Sequence, residues 1–189
     1  MVRLFVGLEI PDTMHAALDE TRGGVEEAHW QRDDQLHLTL AFIGDVSKNT
    51  MREVEDELAR VSFDPFELSL SGVGMFGKPG NPKALWAGVG NKKPLKHLHE
   101  KILQALEPLE LELDYRKYRP HVTLARFRKQ AQSRVGDWLS VNEALKTPAE
   151  TVSHFSLFSS QLTQNGSYYT VESRFGDVFG DMYAEAEFA

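Results

Sequence analysis

Two tetrapeptides, His37-Leu38-Thr39-Leu40 and His121-Val122-Thr123-Leu124, have the residue types and spacing of an acid–base site. Alternate side chains of a β-strand share a face, so each His and Thr project together while the apolar residues point to the core. With 7 His and nine Thr among 189 residues, composition predicts about 0.3 such pairs, so two matched copies are not a chance arrangement. Imidazole gives and takes a proton near neutral pH, and a pair can divide the roles of acid and base. Thr39 and Thr123 each offer a hydroxyl to a phosphoryl oxygen. Arg126, three residues past Thr123, is a candidate fork for phosphate charge. In a regular strand, however, Arg126 has the parity of Val122, so it needs a strand end or a bulge to reach the cleft. Taken singly, His37 is as readily an ordinary strand histidine, and either Thr a simple strand former. The duplication tips the balance to chemistry on a phosphate.

Other chemistries find less support. The chain has no cysteine, which excludes thiolate nucleophiles, disulfides and cysteine-type metal sites. His97 and His99 lie two apart in a helical stretch and do not share a face, and no HExxH pattern is present. No metal and no cofactor are expected. The glycine-rich segment Gly72–Gly80 lacks the GK[ST] ending of a phosphate loop and reads, over 72–82, as a connector between halves. There is no Gly-x-Ser-x-Gly elbow. Phe5, Trp30 and Phe42 flank the first motif, with core packing their first reading and base stacking their second.

The net charge is −7, but residues 115–129, around the second motif, carry six Lys or Arg and no Asp or Glu. That cluster favours attraction of an anion over a broad grip on duplex nucleic acid. The N-terminus runs straight into a strand-like stretch, with neither a leader nor a spanning apolar run. A cytoplasmic protein without membrane contact is the expectation, and a monomer.

Stepwise comparison of the two halves gives the elements that must hold the motifs. An apolar run, Leu4–Ile10, matches Ala84–Val89. A helix opening at Pro11-Asp12-Thr13 and running through Leu18 to Val25 matches one from Pro94 through Leu95, Leu98, Ile102 and Leu106. Each leads to a His-x-Thr strand. A helix capped by Ser47 and a weaker one over 131–146 follow, then strands Phe66–Leu70 and His154–Phe158, and a last strand Tyr168–Phe175. Each half reads as β-α-β-α-β, which predicts an α+β fold of two pseudo-twofold-related halves with a cleft between them. The expected organisation is a single bilobal domain over 1–189, with repeat 1 about 1–76, repeat 2 about 83–175, and an acidic tail at 176–189.

The tandem motifs, together with Arg3-Leu4-Phe5-Val6-Gly7-Leu8-Glu9-Ile10-Pro11, Trp30 and Pro120-His121-Val122-Thr123-Leu124-Ala125-Arg126, resemble the 2H phosphoesterase superfamily. Within it they resemble the RNA 2′,3′-cyclic phosphodiesterase branch, also called the 2′-5′ RNA ligase (ThpR/LigT) family. The resemblance covers residues 1 to about 175, with Glu9 standing where many relatives have Asp. It implies a bilobal α+β fold with antiparallel sheets lining the cleft, no metal, and RNA or oligonucleotides with 2′,3′-cyclic phosphate ends as substrate. The implied reaction is hydrolysis to a 2′-phosphomonoester, with reversible 2′-5′ ligation in some members. By position, His37 would be the proton donor, His121 the proton acceptor, and Thr39, Thr123 and Arg126 would bind the phosphoryl group. The residues alone leave the acid and base exchangeable. Alternatives are a 2H enzyme acting on small cyclic nucleotides or 2′-5′ oligoadenylates, and a non-catalytic RNA-end-binding protein.

Overall fold

The computed structural model describes residues 1–128, 134–163 and 166–176. The described strands are β1 (Val2–Glu9), β2 (His29–Trp30), β3 (His37–Val46), β4 (Phe66–Leu68), β5 (Leu70–Lys78), β6 (Asn81–Val89), β7 (Val122–Arg126), β8 (Glu150–Val152), β9 (His154–Thr163) and β10 (Gly166–Gly176). The helices are α1 (Asp12–Asp19), α2 (Lys48–Leu58), α3 (Lys93–Leu106) and α4 (Gly136–Asn142). The α+β class is as expected. Eight antiparallel strands form one sheet in the order β10-β9-β1-β3-β7-β6-β5, with β2 set against β7, while β4 and β8 form a small second sheet.

The pseudo-twofold relation can be read from the register. β3 and β7 touch at one pair, Leu38 opposite Val122, and β4 meets β8 with Glu67 opposite Thr151. Both pairs join residues separated by the same 84 positions that separate His37 from His121. The axis passes between them. Each half also lends a strand to the other. β5, which follows the first motif in sequence, pairs with β6 of the second half. β9, which follows the second, pairs with β1 of the first.

Local sequence explains most elements. Leu4, Phe5, Val6 and Leu8 of β1 are all buried, as suits a central strand covered on both faces. Ser47 caps α2 by accepting a hydrogen bond from the Thr50 backbone N–H at 3.0 Å, and Pro94 sits in the first turn of α3. Leu95, Leu98, His99, Ile102 and Leu106 form the buried stripe of α3.

Several expectations need correction. The segment 72–82 is not a connector loop but most of the β5–β6 hairpin, turning at Pro79-Gly80 between paired Lys78 and Asn81. Gly74 answers a packing demand, since a Cβ there would run into the Trp86 ring. Phe66–Leu70 is not one strand matching His154–Phe158. It divides between β4 and β5, and β5 is the counterpart of β9. Helix α1 stops at Asp19 rather than reaching Val25, and it has no side-chain cap; Thr13 donates to Glu150 instead, at 2.5 Å. Within 131–146 the helix is α4 alone, and residues 131–133 lie outside the described residues, as does the acidic stretch from 177 onward.

Candidate active site

Both motifs turn on a one-residue bulge. Along β3, Gly7 faces Thr39 and Val6 faces Ala41, leaving Leu40 as the extra residue. Along β7, Trp86 faces Thr123 and Leu85 faces Ala125, leaving Leu124 extra. The extra residue reverses the side-chain parity beyond it. Leu40 and Ala41 are therefore both buried, as are Leu124 and Ala125. The next residues, Phe42 and Arg126, emerge on the side of the two threonines. The bulge that Arg126 required is present, and the same device presents Phe42 at the matching place in the first half.

The two imidazoles are held alike. His37 donates its Nδ1–H to the carbonyl of Gln35 at 2.7 Å, and His121 donates its Nδ1–H to the carbonyl of Arg119 at 2.7 Å. A carbonyl can only accept, so the bond fixes the tautomer and leaves Nε2 of each neutral ring as a proton acceptor. His37 packs against Phe5 at 4.8 Å and edge-on to Tyr169 at 4.9 Å. His121 packs edge-on to Phe76 at 4.8 Å. Thr39 and Thr123 lie half-buried, two residues along from their histidines.

Electrostatics ties the groups together. Burial pushes His37 down to about 4, and the charges of Arg126 and His121 push the same way against the Gln35 bond. His121 is lowered too, first by burial and then by Arg126. Arg126 therefore lies within electrostatic reach of both rings. Both shifts favour the neutral imidazole at neutral pH. Such a site is poised for an anion, whose charge favours the imidazolium that the Arg disfavours.

Two openings border the motif strands, and His121 lines one of them. A cavity of about 430 Å³ has Thr39 and His121 in its wall, with Phe42, Phe76 and Tyr118 beside them. A groove of about 720 Å³ runs past Arg126, Arg128, Trp30 and Tyr169. Of the aromatics flanking the first motif, Phe5 belongs to the core at 4% exposure, whereas Phe42 is 55% exposed. The basic cluster at 115–129 is less uniform than its charge count. Arg116 is bound by Asp114, just outside that window, through contacts that include 2.9 and 3.1 Å. Its charge is thereby neutralised locally, and Arg126 is the cation that acts on both rings.

Some participants were not visible in the sequence. Phe158 stacks on Phe5 at 4.8 Å, and Tyr169 closes over His37 from β10. Glu9, opposite His37 in the β1–β3 register, accepts from Ser156 at 2.8 Å and from Arg174 at 2.7 and 2.8 Å. The His154 imidazole, 3.8 Å from the carboxylate, together with the Arg174 and Ser156 bonds, holds the Glu9 carboxyl well below the usual carboxylate range. The alternation His154, Ser156, Phe158 was the available signal. Its meaning depended on which strand β9 would join. Among the described residues no group of three or more His, Asp or Glu side chains is arranged to hold a metal ion, and no helix is long and apolar enough to cross a membrane.

An RNA 2′,3′-cyclic phosphodiesterase of Archaeoglobus fulgidus is 29% identical over 171 residues, spanning 89% of this chain and 96% of the relative. A protein of the same name from Thermotoga maritima is 29% identical over 148 residues, 76% of each chain. Among solved structures, TT0787 of Thermus thermophilus superposes with a TM-score of 0.76 at 25% identity, covering 92% of this chain and 97% of that one. LigT of E. coli in its apo form gives 0.72 at 22% identity, covering 93% and 96%, a likeness of fold. The profile of the 2′-5′ RNA ligase superfamily matches residues 10–163, and the chain belongs to that superfamily, with the bilobal 2H phosphoesterase fold.

Proposed function

We propose that this protein is an RNA 2′,3′-cyclic phosphodiesterase, a phosphoric diester hydrolase that opens 2′,3′-cyclic phosphate ends to 2′-phosphomonoesters. The observation that carries this reading is the matched pair of imidazoles, each pinned through Nδ1 to a backbone carbonyl two residues upstream. Each Nε2 is thereby left for proton transfer beside a threonine. The names of the relatives support the substrate.

In the forward direction His121 accepts a proton from the attacking water. The water oxygen bonds to phosphorus, the P–O3′ bond breaks, and His37 gives its proton to the leaving 3′ oxygen. Thr39, Thr123 and Arg126 bind the phosphoryl oxygens, where preorganised donors are each worth roughly 10²–10³ in rate. The two imidazoles account for both proton transfers without a metal. With a 5′ hydroxyl in place of water, the same displacement forms a P–O5′ bond, breaks P–O3′ and gives the 2′-5′ ligation named in the superfamily. Its reversal is attack of the 3′ hydroxyl on the 2′-5′ diester with the 5′ oxygen leaving. The acid and base exchange roles between directions, so the near-symmetry of the site suits both.

The test is turnover of an RNA ending in a 2′,3′-cyclic phosphate, with the product isomer identified. A 2′-monoester product supports the reading, and a 3′-monoester overturns the assignment of His37. Parallel assays with 2′,3′-cyclic mononucleotides and 2′-5′ oligoadenylate distinguish the related small-substrate activity. Tight RNA-end binding without product would point to a binding protein.

A further inference from the structure

The sheet parts where the two motif strands meet. Beyond the single Leu38–Val122 pair, β3 and β7 diverge, and each has an edge whose carbonyls need partners. The halves solve this differently. On β7 the edge is covered by backbone: β2 sets His29 against Arg126 and Trp30 against Ala125, and the Gln31 N–H donates to the Leu124 carbonyl at 2.8 Å. On β3 the same task falls to two side chains. His99 of α3 donates its Nδ1–H to the Leu40 carbonyl at 2.7 Å, and Tyr118 donates its hydroxyl to the Thr39 carbonyl at 3.0 Å.

The two rings stack on one another with centroids 4.1 Å apart and planes 12° from parallel. His99 is buried at 9% exposure, and it takes no part in the proton transfers described above. We infer that His99 and Tyr118 are positioning residues: they hold the Thr39–Leu40 bulge in shape and so fix where the Thr39 hydroxyl meets the phosphoryl group. Leu40 is the residue whose insertion sets the parity of the strand, and its carbonyl is the one His99 holds. Without that donor the buried carbonyl is left unsatisfied, and the bulge relaxes to recover a partner. This inference rests on the proposed role of Thr39 at the phosphate.

The experiment compares wild type, His99→Phe, His99→Asn, Tyr118→Phe, Thr39→Ala and the double variants with Thr39→Ala. Phe keeps the stack on Tyr118 and removes the donor, while Asn restores an amide donor near the Nδ1 position. The readouts are kcat and KM on RNA with a 2′,3′-cyclic phosphate, and the affinity for inorganic phosphate. We expect His99→Phe to lower kcat by roughly tenfold to a hundredfold, as small misplacement of reacting groups does, and His99→Asn to recover most of it. In the Thr39→Ala background the same change has little further effect, because coupled residues are not additive.

Full wild-type kcat in His99→Phe overturns the inference. So does an equal loss with and without Thr39, the mark of a general packing defect. If His99→Phe does not fold, Tyr118→Phe, which removes one oxygen, carries the same cycle. If the wild type fails to turn over the cyclic phosphate, the proposed function falls. The phosphate affinities still decide the positioning role: non-additive weakening by His99→Phe and Thr39→Ala supports it, and independent or absent weakening overturns it.

Discussion

The pH profile is the sharpest test of the site, because the histidines are half-buried and lie within reach of a common cation. With His37 at about 4, roughly one free molecule in a thousand carries a proton there at pH 7, a tenfold change for each unit of pH. His121 also lies below its ordinary value. Competent free enzyme has one imidazole protonated and the other neutral. Its population peaks between the two pKa values and falls tenfold per unit above the higher one. The maximum of kcat/KM, which reports free enzyme, should therefore lie below pH 6.5. Bound substrate brings a negative charge that offsets Arg126, so the basic limb of kcat should stand at higher pH than that of kcat/KM. Arg126→Met removes a charge that lowers both rings, and it should move the basic limb of kcat/KM upward even as the rate falls. The assay is initial-rate hydrolysis from pH 4 to 9 at constant ionic strength, with reversibility checked at the acid end. A kcat/KM that holds level through pH 8, or a limb that Arg126→Met leaves in place, would falsify the account of two neutral, Arg-facing imidazoles.

Other outcomes follow from the same geometry. His37→Ala and His121→Ala should each cost ~10²–10⁴ in turnover with circular dichroism unchanged, while EDTA leaves the wild type unaffected; loss of activity on chelation would count against the two-histidine mechanism. Gly74→Ala places a methyl against the Trp86 ring and should lower stability by about 1–3 kcal/mol, read as a reduced Tm; an unshifted Tm would show that Trp86 can move aside without cost. Glu9 is held as a carboxylate by His154, Arg174 and Ser156. Its folded pKa is depressed, so its contribution is present above the unfolded value and is lost as pH falls through the folded one. Glu9→Gln should accordingly be less stable than wild type at pH 7 in denaturant titrations, with the gap narrowing below about pH 4; a gap that is constant with pH would refute the ionic role.

How much was legible in the sequence depends on the range of the interaction. The motif residues were recoverable because strand alternation is local, and α2 and α3 because their caps and apolar stripes are local too. Arg126 marks the limit: its parity pointed to the core, and the bulge at Leu124 that reverses it is a property of pairing with β6. Gly74 shows the same limit. A glycine beneath an indole looks like a glycine in a loop until Trp86, twelve residues later, is known to fold back over it. Phe158, Tyr169 and the Glu9–Arg174 pair join residues more than a hundred positions apart, and nothing in a linear pattern names such partners. The charge count at 115–129 failed in detail because Asp114 lay one residue outside it.

The exchange of β5 and β9 between the halves bears on how the molecule assembles. β1 acquires its neighbour β9 only once the chain has been made as far as Phe158, which pairs with Phe5. Neither half can complete its own sheet, so a chain cut at Pro79-Gly80 yields two pieces that each lack a central partner. Closing such long loops carries entropy that must be overcome before contacts reward it, and topologies dominated by distant pairing fold slowly. The two walls of the cleft each contain a strand of the other half, so this topology couples the folding of one wall to that of the other.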